Sequence, residues 1–304
     1  MKKAVSTLGC LAFGFVLLST PVRAEQPTQP NSASEPVVIT IRIPKDEISN
    51  SGHQSYVLQL LCQALERSKA KNEAIQLLPV DEYFTQARLM AELQKGTNID
   101  LIWTMTTKER EISMQPIRVP ILKGLLGQRV FLIRQDQQES FSKINHLSEL
   151  SKLVAGQGSH WPDTDILREN GLTVLTSTHY ELLFNMLKGG RFHYFPRGLN
   201  EAWAEVEAHT VDGLMVEQHL LLSYPAPMYF FVHNDNVELA KRLETGLAKM
   251  INDGSFDRLF NSHPSIAGIV ERAQLDRRKI FTLTNSSLPS ETPLSDPRYW
   301  LQIQ

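Results

Sequence analysis

The chain has 304 residues, with 31 Lys and Arg against 33 Asp and Glu and a formal charge of −2. That length suits about two domains, and the charge balance lacks the basic excess of a nucleic-acid binder. Apolar residues make up 42% and charged residues 21%, which excludes a disordered chain, while two cysteines and one long apolar run exclude a disulfide-dense scaffold and a multi-span membrane protein.

The apolar run opens the chain. Lys2 and Lys3 precede an apolar stretch over residues 8–18, and Pro21-Val22-Arg23-Ala24 offers small residues for cleavage. This is the pattern of a secretory signal peptide over 1–24, cleaved near Ala24. At about 11–13 residues, the stretch falls short of the roughly 20 needed to span a membrane. Cys10 precedes most of the apolar run, so it does not fit a lipidation site and leaves with the signal. The mature chain keeps one thiol, Cys62, and no intrachain disulfide is expected. Residues 25–36, rich in Gln, Pro, Ser and Asn, read as a flexible leader. The expected localisation is the periplasm, reached through the Sec pathway.

Residues 37–41 are β-branched and predict a strand. Residues 56–67 carry apolar side chains at helical spacing, 74–80 predict a second strand, 83–94 a helix stopped by Gly96, and 99–104 a third strand. This β-α-β-α-β order predicts an α/β layer with a mainly parallel sheet. A long apolar strand lies within 125–134. A second series follows: a short helix at 147–150, a strand at 153–155, a helix at 163–170, a strand at 173–176, a helix at 180–188, a strand at 193–195 and a helix at 200–208. The third region has an apolar strand at 228–232, an amphipathic helix at 237–252 and a helical turn at 255–260. From 285 onward Ser, Pro and Thr predict an irregular tail, with Tyr299 and Trp300 against the body.

Nine histidines form no metal-ligand spacing, and no G-x-S-x-G elbow is present. Gly156-Gln157-Gly158 begins like a dinucleotide loop, but Trp161 stands where the last glycine belongs. No cofactor and no metal are expected. Three strand ends carry candidate binding residues. The turn with Gly158, Ser159 and Trp161 offers backbone N–H groups, a hydroxyl and a flat apolar wall; the alternative is a plain strand-to-helix turn. Trp103, Thr104 and Thr107 lead to Arg110, whose planar fork suits a carboxylate; the alternative is an exposed pair with Glu109 and Glu111. Arg197 is a second anion clamp, or a helix-entry arginine pairing with Glu201 at i+4. Ligands of open α/β sheets bind beyond the carboxyl ends of strands, where all three sit.

Together these stretches resemble the type II periplasmic solute-binding proteins, specifically a divergent subgroup of the amino-acid-binding branch, family 3, over roughly residues 37–264. Asp100-Leu101-Ile102-Trp103 through Arg110 is similar to that family's strand running into "S-x-T-x-x-R", with Thr107 and Arg110 matching its Thr and its carboxylate-binding Arg. Met105 stands where the family has Ser. Lys188-Gly189-Gly190-Arg191-Phe192-His193 is similar to its "G-R-V-D" strand entry, and Asp253-Gly254-Ser255-Phe256 to its "D-G-T-Y" ending. Where the family places an amine-binding Asp, this chain reads Arg197-Gly198, leaving Glu201 or Glu217 as substitutes.

The resemblance implies two α/β lobes, each a mainly parallel sheet flanked by helices. Lobe 1 would be 37–132 with a return over 227–284, lobe 2 would be 133–226, and 285–304 would be a tail. Two strands would form the hinge near 131–134 and 225–229. Arg110 from lobe 1 would meet Ser159, Trp161 and Arg197 of lobe 2 across a cleft that closes on its ligand. The implied function is capture of a small carboxylate or amino-acid-like solute, anionic or zwitterionic, for transport or sensing. The partner would be an inner-membrane permease of an ABC transporter or a sensor, and the protein a monomer. Two alternatives stand beside it. One is a sensor partner with no transport role, whose cleft its own side chains fill. The other is an exported lyase or dehydratase, with Glu201, Glu217, His160 and His179 as its acid–base candidates.

Overall fold

The computed structural model describes residues 36–45, 52–82, 84–209 and 213–301. The expected signal peptide, and the leader up to residue 35, lie outside the described residues. Among the described residues, no helix is long and apolar enough to cross a membrane.

The first lobe is built from β1 (Val37–Ile43), α1 (Gly52–Ser68), β2 (Glu73–Pro79), α2 (Gln86–Lys95), β3 (Leu101–Met105), α3 (Lys108–Ser113) and β4 (Gln115–Ile117). The second holds β5 (Gln128–Arg134), α4 (Gln138–Phe141), α5 (Leu147–Leu150), β6 (Val154–Gly158), α6 (Pro162–Glu169), β7 (Thr173–Ser177), α7 (Tyr180–Lys188), β8 (Phe195–Gly198), α8 (Ala202–Ala208), β9 (Leu214–Val216) and β10 (Leu220–Ser223). The chain then returns through β11 (Met228–Val232), α9 (Val237–Asn252) and α10 (Ser255–Ser262), and α11 (Ile269–Ala273) and β12 (Lys279–Thr282) follow.

Local chemistry sets the helix ends. Thr85 caps α2 by accepting the Arg88 N–H, which starts that helix three residues after the predicted position, and Gly96 ends it at φ 66°. Asn236 caps α9, whose stripe of Leu239, Leu243, Leu247 and Met250 is buried. This helix packs on α1 so closely that a Cβ on Gly246 would lie 1.9 Å from the Ala64 carbonyl oxygen. Only glycine permits that approach.

In the first lobe β1 and β2 pair in parallel, and β11 returns antiparallel between β3 and β4. Asp100, just before β3, donates its N–H to the Arg42 carbonyl of β1 at 2.9 Å and binds the Arg42 guanidinium. In the second lobe β5 is central, with β8 on one side and β9 and β10 on the other. β6 and β7 pair in parallel and join β8 through the Gly156 N–H on the Tyr194 carbonyl.

The sheets are therefore mixed, with three parallel and five antiparallel strand pairings among the described residues. The expectation of mainly parallel sheets is corrected on this point. β5 and β11 enter each lobe from the other one, so they run against their neighbours.

The crossings differ in part from those expected. All of β5 pairs within the second lobe, so the first crossing is 118–127 rather than 131–134. The second is 224–227, between β10 and β11, against an expected 225–229. β12 pairs in parallel with β10 of the second lobe, so 279–282 does not belong to the first-lobe return. The chain thus passes between lobes again before β12, and its tail comes back afterwards.

Candidate functional site

A cavity of about 670 Å³ lies between the lobes. Of the eight candidate residues, Trp103, Thr104, Gly158, Ser159, Trp161 and Arg197 line it, while Arg110 and Thr107 do not. Thr107 caps α3: its hydroxyl accepts the Arg110 N–H at 3.1 Å. The Arg110 side chain lies inward, behind the wall of the cleft.

Arg110 is buried, not part of an exposed pair with Glu109 and Glu111. Glu111 instead accepts from the Thr106 hydroxyl and from Arg118. Nη1 of Arg110 donates to the Thr104 hydroxyl at 2.8 Å and the Met105 carbonyl at 2.7 Å. Nη2 donates to Gln86 Oε1 at 2.7 Å and, across the cleft, to the His160 carbonyl at 3.2 Å. All four acceptors are neutral. No carboxylate lies within ion-pair distance among the described residues, and burial pushes the guanidinium pKa down to about 10 against the pull of Asp163 and Glu109.

On the second lobe, the turn after β6 satisfies several of its own N–H groups, contrary to the expectation that they are free. The Ser159 N–H goes to the Ser177 carbonyl, that of Trp161 to Gly158, and that of Thr164 to Trp161. Trp161 stacks on Phe195 with ring centroids 6.2 Å apart. Its ring presses on Gly158, where a Cβ would stand 2.4 Å away. Gly158 is thus needed for the wall Trp161 forms.

Arg197 is already paired, which corrects its expected role as a free anion clamp. Its guanidinium lies 4.9 Å from the ring centroids of both Trp161 and Phe195. Nε donates to Glu205 Oε2 at 2.8 Å and Nη2 to Glu205 Oε1 at 2.6 Å, and Glu201 lies 3.2 Å away. The i+4 partner considered from sequence is present. Glu205 was missed, because it lies eight residues from Arg197 and beyond the reach of an i+4 rule. The Tyr180 hydroxyl also donates to Glu205 at 2.6 Å.

The pair continues into a buried chain of charges. Glu201 Oε2 accepts from Arg129 at 3.2 Å and from the Gly198 N–H at 2.9 Å. Arg129 meets Asp163 at 2.5 Å, and the Tyr224 hydroxyl donates to Asp163 and accepts from Arg129. Burial pushes the Glu201 carboxyl up, but Arg197 and Arg129 together outweigh it and hold its pKa below the usual range.

Three of the four acid–base candidates line the cavity, and Glu217 does not. Glu217 is away from the cleft, its carboxylate taking the His219 and Leu220 N–H groups, so it does not substitute for an amine-binding Asp. Glu201, His160 and His179 line the cavity. His53, Phe84, Gln86 and Tyr180, which no motif flagged, also line it. No group of three or more His, Cys, Asp or Glu that could hold a metal occurs among the described residues.

A scan of protein-family models and a search of curated proteins find no match to this chain. Solved structures do match. An ancestral arginine-binding protein bound to arginine aligns with a TM-score of 0.55 at 17% identity, covering 74% of this chain and 98% of that one. A histidine kinase sensor domain with similarity to periplasmic binding proteins gives a TM-score of 0.55 at 12% identity, covering 77% and 98%. A periplasmic His/Glu/Gln/Arg/opine family-binding protein from Silicibacter pomeroyi, in complex with lysine, gives a TM-score of 0.55 at 11% identity, covering 73% and 96%. With its two lobes, mixed sheets and interlobe cavity, the chain has the type II fold of the periplasmic solute-binding proteins.

Proposed function

We propose that this chain is a periplasmic solute-binding protein that captures a small amino-acid-like solute in the interlobe cleft, its carboxylate directed at Arg110. The observation that carries this reading is a buried guanidinium beside the cavity whose acceptors are all neutral. An isolated buried cation is costly, and a carboxylate relieves it better than amide or carbonyl dipoles. The two acceptors on Nη2 are replaceable: Gln86 is a side chain of one lobe and His160 contributes a carbonyl from the other. A solute carboxylate there would exchange one lobe-to-lobe contact for its own contacts to both lobes and so favour closure. Trp103 and Trp161 supply apolar walls. The permease or sensor that receives the solute is a separate part of the proposal.

One observation favours a second reading, a sensor partner with no ligand. Arg110 and Arg197 are both engaged by the protein's own groups.

Thermal melting of residues 25–304 against amino acids, dicarboxylates and aromatic acids separates the two. A ligand at about 100 times its Kd adds roughly 2.7 kcal/mol, hence a rise of several degrees. The proposal expects such a shift and its loss in Arg110→Met. If no compound moves the melt, or Arg110→Met keeps the full shift, the carboxylate assignment is overturned.

A further inference from the structure

Ser286 ties the two lobes together. Its carbonyl accepts from Lys108 Nζ at 2.8 Å, and Lys108 is the first residue of α3 in lobe 1. Its hydroxyl donates to Glu169 at 2.7 Å, and Glu169 is the last residue of α6 in lobe 2. The flanking residues repeat the pattern. Asn170 donates its side-chain amide to the Thr284 carbonyl at 2.8 Å and accepts the Thr284 N–H at 3.0 Å. The Lys108 N–H donates to the Ser287 carbonyl at 2.8 Å. Asn285 donates to the Pro225 carbonyl in the second crossing at 2.8 Å. Further on, the Leu301 N–H reaches the Lys123 carbonyl of the first crossing at 2.8 Å. Trp300 lies against Gly124, where a Cβ would stand 2.8 Å from the ring.

We propose that residues 283–301 form a strap that holds the lobes closed when the cleft has no ligand. A two-lobed protein opens by changing backbone angles in the segments that cross between its lobes. Here the tail is bonded to both lobes and to the crossings at 118–127 and 224–227, so opening must break either the Lys108–Ser286 or the Ser286–Glu169 tie. The Arg110 bond to the His160 carbonyl spans the cleft in the same closed arrangement. Lys108 is two residues from Arg110 on α3. Release of the strap therefore frees the helix that carries the buried cation, and a partner that displaced the tail would open the cleft. This inference does not depend on which solute binds.

Pulsed electron-spin distance measurements on the ligand-free mature chain test it. Spin labels go on Glu82→Cys in lobe 1 and Glu181→Cys in lobe 2, both exposed, with Cys62→Ala removing the native thiol. The strapped protein gives one narrow distance. A chain ending at Thr282 gains a longer-distance population. So does the full-length Lys108→Ala/Glu169→Ala/Asn170→Ala variant, which keeps the tail and decides the matter if the shortened chain fails to fold. An unchanged narrow distance in every variant that folds overturns the proposal, as does a parent protein already spread over long and short distances.

Discussion

Glu205→Gln removes one charge from the buried chain and almost nothing else. The Arg197 and Glu205 side chains are 6% and 11% exposed, so solvent screening is slight. Glu205 accepts two close N–H groups from Arg197 and one hydroxyl from Tyr180. The amide keeps the shape but turns a donor toward one of these donors. Leaving a buried charge without its partner costs about 3–5 kcal/mol. Here Glu201 stays 3.2 Å from Arg197, so part of the compensation survives and the expected loss is about 2–3 kcal/mol. Removing both partners, in Arg197→Met/Glu205→Leu, leaves no orphan guanidinium, so the double variant should be more stable than Arg197→Met and Glu205→Leu taken additively. Urea unfolding followed by circular dichroism, with slopes compared to confirm a common transition, measures both effects. A loss below about 0.5 kcal/mol for Glu205→Gln is what an exposed ion pair gives, and it would refute the claim that this pair is buried and coupled.

Other perturbations probe the cleft wall and the acid limb. Gly158→Ala places a methyl group where the Trp161 ring lies, and the overpacking costs about 1–3 kcal/mol. If Trp161 forms the wall, calorimetry on the solute found by melting should show at least tenfold weaker binding, whereas unchanged affinity would remove Trp161 from the site. The Glu73 carboxyl is drawn down to about 2, first by its hydrogen bonds from Arg242 and then by that from Ala70, and Glu201 is also held low. A depressed folded-state pKa contributes stability above the unfolded value of about 4.3 and loses it as pH falls toward the folded one. The urea midpoint should therefore drop between pH 5 and 2, and Arg242→Gln should flatten part of that drop. A midpoint independent of pH across this window would contradict both assignments.

Long periodic segments were legible. The helix expected at 237–252 matches α9, and the early strands and helices differ from β1, α1, β2, α2 and β3 mainly at their ends, because each buries a face that its spacing announces. Lobe membership was not legible. The apolar run of β5 looks the same whether it crosses between lobes or lies wholly within one, and β12 is a four-residue strand with no signal for its partner. The alternative reading of Arg110, as an exposed pair, rests on the acids that flank it. On α3 those acids, at i±1, do not share its face, and the bonds to Thr104, Met105 and Gln86 hold the arginine inward. Arg197 reaches Glu205 eight residues on because the chain reverses between β8 and α8. A reversal of that kind is a tertiary fact that spacing rules for one helix do not encode.

The charges around the cleft constrain the solute more than any single residue does. Arg110, Arg129 and Arg197 are balanced by Asp163, Glu201 and Glu205, and all six side chains are buried or nearly so. A low-dielectric cluster with no net charge gains least from a guest that disturbs the balance. A dianion would bring two charges and find only Arg110 without a contacting carboxylate. On the proposed function a zwitterion would bring none on balance: its carboxylate would meet Arg110, and its ammonium would approach Glu201 or Glu205, which line the cavity. Those carboxylates already accept from arginines, so the ammonium would share them rather than replace a partner, which makes the amine a weaker anchor than the carboxylate. On the proposed function, the same geometry that denies Arg197 to an incoming anion therefore favours a zwitterion with one carboxylate over a dicarboxylate.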